Sequence, residues 1–341
     1  MFLWVFLVAS FLTSSYCDDM DGGKAPRFRM NDGKTIPTFG LGTFLGFDEK
    51  GQKEAEENEV ENAVTWALDA GYRLIDTAAL YRNEEQVGQA LMKTKVPREH
   101  IFVVTKLASN EKRDVVGALR KSLERFNQSY VDLYLIHIPV SFTPDESAFE
   151  VIDYLDTWKE MEEAKNLGLA KSIGVSNFNI SQMERLMQNC KIRPSVLQVE
   201  VNLNLAQNEL VHYCHRENVV VMAYTPFGSL FSHDASAPAP RMDDPVLVEL
   251  AERYGKTVPQ IVLNNLVSRG LVLIPKSVHK ERIEENIDIF DFRLTTMDLE
   301  TLGKFNKDYR VVNPSFWQDH PYYPFEKVDN PKPDPFKGKK E

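Results

Sequence analysis

Four ionisable residues in the first half of the chain, Asp76, Tyr81, Lys106 and His137, could together deliver a proton. A lysine ammonium beside a tyrosine favours the phenolate, so we expect Lys106 to make Tyr81 a better proton donor near neutral pH. Asp76 would be the counter-ion that a partly buried lysine needs. A neutral His137 would donate a hydrogen bond to a carbonyl oxygen on which negative charge develops.

This chemistry suits a reaction in which hydride reaches a carbonyl carbon and the resulting alkoxide must be protonated. The set contains no nucleophile with an adjacent base, so acyl transfer is a poor match. Each residue alone has a structural explanation, because a strand-end aspartate usually caps a helix and a lone lysine is usually solvated. The functional interpretation therefore depends on the elements that would bring the four side chains together.

From residue 38 onward, short apolar, β-branched runs alternate with helical periods. Continuous apolar strands separated by helices are typical of a parallel sheet covered by helices. Eight repeats over about 280 residues predict an α/β fold, a closed (β/α)8 TIM barrel, and an error of one strand would not change that class. The predicted strands are residues 39–41, 74–76, 101–105, 131–137, 172–175, 196–199, 219–224 and 271–275.

The four ionisable residues occupy comparable places in this pattern. Asp76, Lys106 and His137 each stand at the C-terminal end of a predicted strand, and Tyr81 follows in the loop behind the first of them. Active sites of such barrels lie at the C-terminal ends of the strands. We therefore expect all four side chains to face one mouth.

Three segments lie outside the repeat. Phe28, Met30 and Ile36 flank a turn at residues 31–33 that favours positive φ, which predicts an N-terminal β-hairpin. Residues 229–244 predict a long loop, and residues 311–341 contain six prolines and four Phe or Trp residues without a helical period. Long loops of a barrel mostly lie on the catalytic face, so we expect a long C-terminal loop over the active site.

Charge and the first residues restrict the class of protein. The 341 residues include 50 acidic and 40 basic side chains, and the absence of a basic stripe argues against nucleic-acid binding. Residues 1–17 carry no charged side chain, and residues 2–12 are almost wholly apolar, a run too short to span a bilayer. They resemble a cleaved secretory signal without its positive start, the alternative being a leader kept on a cytosolic protein. We expect a signal peptide at residues 1–17 and one domain at 18–341, secreted, monomeric and not membrane-bound.

Cleavage after residue 17 would leave Cys190 and Cys214. Two cysteines cannot form a disulfide scaffold, and two free thiols are slightly favoured over one bridge. His212, Cys214 and His215 look like metal ligands, but no second cluster completes a tetrahedral set, so we expect a helix face and no metal. In an exported chain, the sequons at Asn127 and Asn179 predict glycosylation.

Residues 71–78 (GYRLIDTA), followed by Tyr81 and Asn83-Glu84, resemble the signature of the aldo-keto reductases. Residues 133–139 (LYLIHIP), 174–178 (GVSNF) and 274–277 (IPKS) match further stretches of that family in the same order. The resemblance runs from about Phe28 to Phe325. It implies an NADPH-dependent carbonyl reductase in which Tyr81 is the general acid.

The resemblance also implies a cofactor site across the barrel mouth. Ser176, Asn177 and Gln198 would bind the nicotinamide carboxamide, Tyr224 would stack on its ring, and Asp76 would lie beside it. Two cations and a hydroxyl near a helix start favour a 2′-phosphate, hence NADPH over NADH. The remaining cofactor residues would be Gly42 and Thr43 below the ring, Pro226, Gly228, Ser229 and Leu230 over the pyrophosphate, and Lys276, Ser277, Arg282, Glu285 and Asn286 at the adenosine end.

Departures from the family pattern fall in the substrate pocket. Many relatives carry Trp where this chain has Ala108 and Ile138, and Phe44 stands where an aromatic residue is common. The expected pocket, completed by Tyr81, His137 and Trp317, is wide and aliphatic. Val278 replaces an aromatic residue in the phosphate loop, so we expect the cofactor affinity to differ from that of relatives.

A wide apolar pocket suits a bulky ketone such as a steroid. With its leader and the stretch at residues 135–139, the chain is similar to exported insect family members that reduce 3-dehydroecdysone. The alternatives are a general aldehyde or xenobiotic carbonyl reductase, and a non-catalytic secreted protein that binds a ligand or cofactor on the same barrel.

Overall fold

The computed structural model describes residues 22–48 and 51–331. Their centre is an eight-stranded parallel sheet in the order β14-β13-β12-β11-β8-β7-β6-β3. The predicted signal peptide at residues 1–17 lies outside the described residues. The strands of the sheet are β3 (Leu41–Gly42), β6 (Leu74–Asp76), β7 (Phe102–Leu107), β8 (Val131–Ile136), β11 (Ala170–Ser176), β12 (Val196–Glu200), β13 (Val220–Tyr224) and β14 (Val272–Leu273).

The sheet closes on itself. Phe39 and Leu273 form a parallel bridge between the first and the last strand positions, and Gly42 bridges to Lys276. The amide of Gly40 donates to the carbonyl of Leu273 at 2.8 Å. The closed (β/α)8 barrel predicted from the alternation is thus confirmed, with every predicted strand overlapping an observed one or its bridge.

Helices follow the strands and cover the outside of the barrel. Their ends carry local signals: the Asp114 carboxylate accepts from the amide of Gly117 at the start of α3, and Asn127 ends that helix with a φ of 51°. The helices are α1 (Glu59–Asp69), α2 (Glu84–Lys93), α3 (Val115–Phe126), α4 (Tyr154–Asn166), α5 (Ile180–Asn189), α6 (Asn208–Arg216), α7 (Pro245–Tyr254), α8 (Val258–Ser268), α9 (Lys280–Asn286) and α10 (Thr296–Gly303).

The predicted N-terminal hairpin is formed by β1 (Arg27–Arg29) and β2 (Thr35–Pro37), and it closes the bottom of the barrel. Phe28, Met30 and Ile36 pack against the apolar side chains inside the barrel. Gly33 adopts a φ of 85° in the turn, a conformation that glycine reaches without strain. With this end filled, the strands open only at their C-terminal ends.

Two short hairpins and the C-terminal tail surround that open end. The hairpins pair β4 (Phe47–Asp48) with β5 (Gly51–Gln52), and β9 (Ser141–Phe142) with β10 (Phe149–Glu150). The buried Glu200 at the end of β12 accepts the amides of Val311 and Val312, each at 2.8 Å. This contact holds the tail across the barrel mouth, as the sequence predicted for a long C-terminal loop.

Cys190 and Cys214 are both free thiols, which confirms the favoured alternative. Cys214 lies on the buried face of α6, and burial raises its pKa to about 12. Across residues 22–48 and 51–331, no group of three or more His, Cys, Asp or Glu could hold a metal ion. In the same residues, no helix has the length and apolarity that crossing a membrane requires.

Candidate active site

The structure brings the four predicted ionisable residues to one end of the barrel. Asp76 ends β6, Lys106 is the penultimate residue of β7, and His137 directly follows β8. Tyr81 closes a single 3₁₀ turn, Ala79–Tyr81, behind β6. The parallel register places these positions side by side at the mouth.

A buried ion pair forms the centre of the site. The Lys106 Nζ lies 2.6 Å from Asp76 Oδ1 and donates to the Thr77 carbonyl at 2.9 Å, and the Lys106 side chain is 0% exposed. Gln198 Nε2 donates to the other carboxylate oxygen at 2.7 Å. Burial raises the pKa of Asp76 and lowers the pKa of Lys106, while the attraction between the two opposes both shifts. All these contacts fix the ammonium beneath the mouth.

Lys106 Nζ also donates to the Tyr81 phenol oxygen at 3.2 Å, so the predicted proton donor and its cation are in contact. The expected acidification of Tyr81 is wrong. Burial, and then the Asp76 carboxylate, raise the pKa of Tyr81 well above 10.0. The physical reason is that Asp76 neutralises the ammonium, so desolvation of a phenolate outweighs the attraction of the lysine. The phenol therefore keeps its proton throughout the physiological range.

His137 is the fourth member. Its ring lies edge-on to Tyr81, with 5.5 Å between the ring centroids and planes inclined by 76°. Burial and the positive charges of Lys106 and Lys112 lower the pKa of His137 well below 6.5, so the imidazole is neutral, as predicted. Within the described part of the chain, Nδ1 has no hydrogen-bond partner.

Asn83 is a positioning residue to which sequence reasoning assigned no role. Its amide nitrogen donates to the Thr43 carbonyl at 2.9 Å, and its oxygen accepts from the Thr77 hydroxyl at 2.9 Å. These bonds tie the loop after β3 to the turn that carries Tyr81. The sequence showed only a polar Asn83-Glu84 pair behind Tyr81, because one of the two partners, Thr43, lies 40 residues away.

The residues predicted to hold a nicotinamide lie together at the ends of β11, β12 and β13. Tyr224 donates its hydroxyl to Asn177 Oδ1 at 2.8 Å, and Asn177 Nδ2 donates to the His137 carbonyl at 2.9 Å. Gln198 uses its amide nitrogen on Asp76. A ligand carboxamide would find the Ser176 hydroxyl and the Gln198 oxygen here, whereas Asn177 is already engaged at both ends of its amide.

The strand that carries Gly42 and Thr43 passes close to its neighbours. A Cβ on Gly42 would meet the Ile274 carbonyl oxygen at 2.8 Å, so only glycine fits there. Thr43 is buried, and its amide donates to the Asp76 carbonyl at 3.0 Å. Both residues lie beside the ion pair of Asp76 and Lys106, at the barrel mouth where the cofactor ring was predicted.

The predicted pyrophosphate loop is held from below by side chains. Gly228 has a φ of 53°, and a Cβ there would meet the Asn202 side chain at 2.7 Å. The Ser229 hydroxyl donates to Asn204 Oδ1 at 2.7 Å. Arg241, from the long loop that follows, donates to the carbonyls of Pro238 and Ala237 at 2.6 and 2.7 Å and so stiffens that loop. Pro226 and the buried Leu230 belong to the same turn.

The predicted phosphate cations lie close enough to influence one another electrostatically. Burial, and then the positive charge of Lys53, lower the pKa of Lys276, and Arg282 acts in the same direction. Lys53, which the sequence did not suggest, comes from the segment after β5 and pairs with Glu59 at 3.1 Å. A gathering of cations that repel one another suits a phosphate-rich ligand.

The remaining residues predicted at the adenosine end differ in whether their side chains already have hydrogen-bond partners. The Ser277 hydroxyl accepts from the His279 amide at 3.1 Å, and Asn286 is buried. The Glu285 carboxylate already accepts from the Thr257 hydroxyl at 2.7 Å, at the start of α8. Within the described residues, the Asn286 side chain makes no hydrogen bond that a ligand would need to replace.

The predicted pocket residues form two walls. Phe44 packs on Tyr81 with 4.9 Å between centroids, on one side of the mouth. On the other side, Ile138 belongs to an apolar cluster on which Trp317 packs, and Trp317 lies 5.1 Å from the Phe142 ring. Ala108 is buried in the loop after β7. The tail therefore supplies an aromatic side to a wall that is otherwise aliphatic.

The family assignment follows from comparison with known proteins. Residues 38–307 match the profile of the aldo/keto reductase family. The chain belongs to that family. It is 49% identical over 309 residues to aldo-keto reductase AKR2E4 of Bombyx mori, covering 88% of this chain and 99% of the relative. The structure of that relative in complex with NADP superposes with a TM-score of 0.84.

Two further family members extend the comparison. The silkworm aldo-keto reductase AKR2E5, solved in complex with NADPH, is 42% identical with a TM-score of 0.87, over 91% of this chain and 97% of that one. Estradiol 17 beta-dehydrogenase 5 of Mus musculus is 36% identical over 323 residues, covering 89% of this chain and 98% of the relative. This reductase therefore matches its relatives over nearly their full length.

Proposed function

We propose that this aldo-keto reductase reduces aldehydes or ketones with NADPH and that Tyr81 protonates the product oxygen. The observation that carries the proposal is the single Lys106 Nζ that contacts Asp76 at 2.6 Å and Tyr81 at 3.2 Å, beside the ring of His137. Bound NADPH would supply the hydride. The steps that follow concern only the residues of this chain.

His137 would orient the substrate. In its Nε2–H tautomer, the neutral imidazole donates a hydrogen bond to the substrate carbonyl oxygen and stabilises the negative charge that develops there. The low pKa of His137 keeps this donor neutral, so it cannot compete with Tyr81 as the acid.

Tyr81 would give its proton to the alkoxide oxygen. An alkoxide is more basic than a phenolate, which favours the transfer, while the raised pKa of Tyr81 opposes it. The hydrogen bond from Lys106 then stabilises the phenolate that remains. The raised pKa ensures that the phenol is loaded before each turnover.

The residues present fit NADPH. At the barrel mouth, the Ser176 hydroxyl and the Gln198 amide are placed to bind the nicotinamide carboxamide. Lys276 and Arg282 supply positive charge at the predicted adenosine end of the cofactor site. Relatives at 49% and 42% identity are seen with NADP and NADPH. We infer that Lys276→Ala weakens NADPH binding more than NADH binding, which fluorescence titration of the protein would measure.

Reaction with a carbonyl panel tests the function. The absorbance of NADPH should fall when protein is mixed with aldehydes and ketones, and no loss with any of them would contradict the proposal. Tyr81→Phe should lose most of the rate while keeping NADPH affinity, because the phenol is not among the predicted cofactor contacts. If binding persists and the variant behaves like the wild type, the protein is a carrier and not a catalyst.

For the substrate, we propose a bulky ketone, with an ecdysteroid 3-ketone as the leading candidate. Ala108 and Ile138 are smaller than the Trp that many relatives carry at these positions, and exposed Phe47 and Phe231 offer apolar surface on neighbouring loops. A higher kcat/KM for 3-dehydroecdysone than for short aldehydes would support the assignment. The reverse order would favour the general aldehyde or xenobiotic reductase.

We also propose that the chain is secreted, monomeric and glycosylated at Asn127. Asn127 is exposed at the end of α3, whereas Asn179 caps α5 and its Nδ2 donates to the Pro324 carbonyl at 3.3 Å. Expression in insect cells should give protein in the medium that shifts after glycosidase only if residue 127 is Asn. Retention inside the cells would contradict secretion, and light scattering would measure the mass of the assembly.

A further inference from the structure

A lysine outside the predicted site is buried next to it. Lys112, in the loop between β7 and α3, is 3% exposed. Its Nζ donates to the carbonyl oxygen of Ile138 at 2.7 Å. Among the described residues, no carboxylate lies within ion-pair distance of this nitrogen, unlike the pairing of Lys106 with Asp76. A buried amine without a counter-ion is costly, so its position needs a reason.

Ile138 is the residue that directly follows His137, and the backbone there is held from three sides. The His137 amide donates to the Leu107 carbonyl at 3.3 Å, and its carbonyl accepts from Asn177 at 2.9 Å. Lys112 holds the next carbonyl along the chain. These contacts tie the His137 peptide to β7, to the loop after β11 and to the loop before α3.

The imidazole depends on this backbone, because its ring has little else to orient it. Nδ1, which carries no hydrogen in the Nε2–H tautomer, lacks a hydrogen-bond partner in the described chain, whereas the second ring nitrogen of a working histidine is usually held by a fixed partner. The edge contact with Tyr81 restrains the ring on one side only. The position of the imidazole is thus set mainly by where the backbone places Cα.

We propose that Lys112 is a positioning residue for His137: its hydrogen bond to the Ile138 carbonyl holds the backbone that aims the imidazole at the substrate oxygen. Either protonation state of the amine can donate this bond. The proposal rests on the proposed reductase function. It predicts an effect on turnover, since a misplacement of about 1 Å can cost 100-fold in rate.

Lys112→Met tests the proposal because methionine has a similar length and no donor. We expect kcat to fall at least tenfold, with the dissociation constant of NADPH within twofold of the wild type. The thermal midpoint should be unchanged or higher, because a buried amine without a counter-ion has been removed. Lys112→Gln, which restores a donor one bond short, should recover part of kcat. Arg113→Met is the matched control, since Arg113 is the exposed next residue and pairs with Glu150.

A folded Lys112→Met variant with wild-type kcat would overturn the proposal. If methionine prevents folding, Lys112→Leu takes its place under the same criterion. A second readout does not use turnover: the imidazole NMR signals of His137, assigned with His137→Gln, should shift in Lys112→Met and not in Arg113→Met. Unshifted signals would overturn the proposal even if the wild type reduced no carbonyl, so the two failures are distinguishable.

Discussion

Replacing Lys106 with methionine should destabilise the fold as well as abolish turnover, because it leaves the Asp76 carboxylate buried without a cation. Removing one partner of a buried ion pair costs about 3–5 kcal/mol. Asp76 keeps the hydrogen bond from Gln198 at 2.7 Å, which favours the lower half of that range. With an unfolding entropy of about 2.1 cal/mol/K per residue, a loss of about 3–4 kcal/mol should lower the thermal midpoint by about 4–6 °C.

The loss should depend on pH in a defined direction. The pKa of Asp76 is raised above 3.8 in the folded protein, so the folded state binds a proton there more tightly than the unfolded state. The stability from this proton is complete below about pH 3.8 and disappears as pH rises through the folded pKa. Lys106→Met removes the ammonium that lowers this pKa, so the folded pKa rises further. The variant should therefore be less destabilised at pH 5 than at pH 8.

The double variant Asp76→Asn/Lys106→Met is the matched control. It removes both charges, and replacing a buried pair by neutral groups is often neutral for stability. It should recover most of the lost stability and none of the turnover. Urea unfolding of the wild type, the single and the double variant at both pH values measures this. A single variant that loses less than about 1 kcal/mol, or a double variant no more stable than the single, would refute the reasoning.

Three further outcomes are expected. The pH profile of kcat should show no break near 6.5, since the pKa of His137 lies well below that value; a break that His137→Gln removes would contradict the neutral imidazole. Phe47→Ala should raise KM for a bulky ketone and not for a short aldehyde, because Phe47 is 51% exposed and packs on the pocket residue Phe44. Met297→Ala is the control, since Met297 is 75% exposed on α10, and equal effects of the two substitutions on KM would argue against a contact between Phe47 and the ketone. Gly88→Ala should lower the free energy of unfolding by about 1–3 kcal/mol, and with it the thermal midpoint, because a Cβ would meet the Phe126 carbonyl oxygen at 2.7 Å. A stabilised variant would show that the higher helix propensity of alanine outweighs this steric clash.

Much of the fold could be predicted because the local patterns and the tertiary structure agree. Apolar runs and helical periods alternate in a way that only a helix-covered parallel sheet satisfies, and the eight strands were located within a few residues. The bottom hairpin was equally predictable, since Gly33 marks its turn and Phe28 points to the inside. Strand ends were the least certain, because bridges such as Phe39 to Leu273 depend on the closure of the barrel.

The meeting of the four ionisable side chains at the barrel mouth was predictable, and their pKa shifts were less so. Asp76, Tyr81, Lys106 and His137 could be named because each lies at or just behind the C-terminal end of a strand, and parallel strands bring those ends together. The direction of the pKa shift of Tyr81 was not predictable. It depends on complete burial and on the neutralisation of Lys106 by Asp76, which are distances and solvent exposures that no spacing encodes.

The sequence by itself determined the barrel, the four ionisable side chains that meet at its mouth and the family, because these follow from periodicity, residue type and order along the chain. Only the tertiary structure decided how charge is distributed among the four ionisable side chains, and which residues distant in sequence hold these side chains in place. Lys112 and Asn83 gave no clear signal in one dimension, since the atoms they hold, the carbonyls of Ile138 and Thr43, lie far away along the chain. Hydrogen bonds and desolvation depend on distances and burial in three dimensions, which only the folded chain defines.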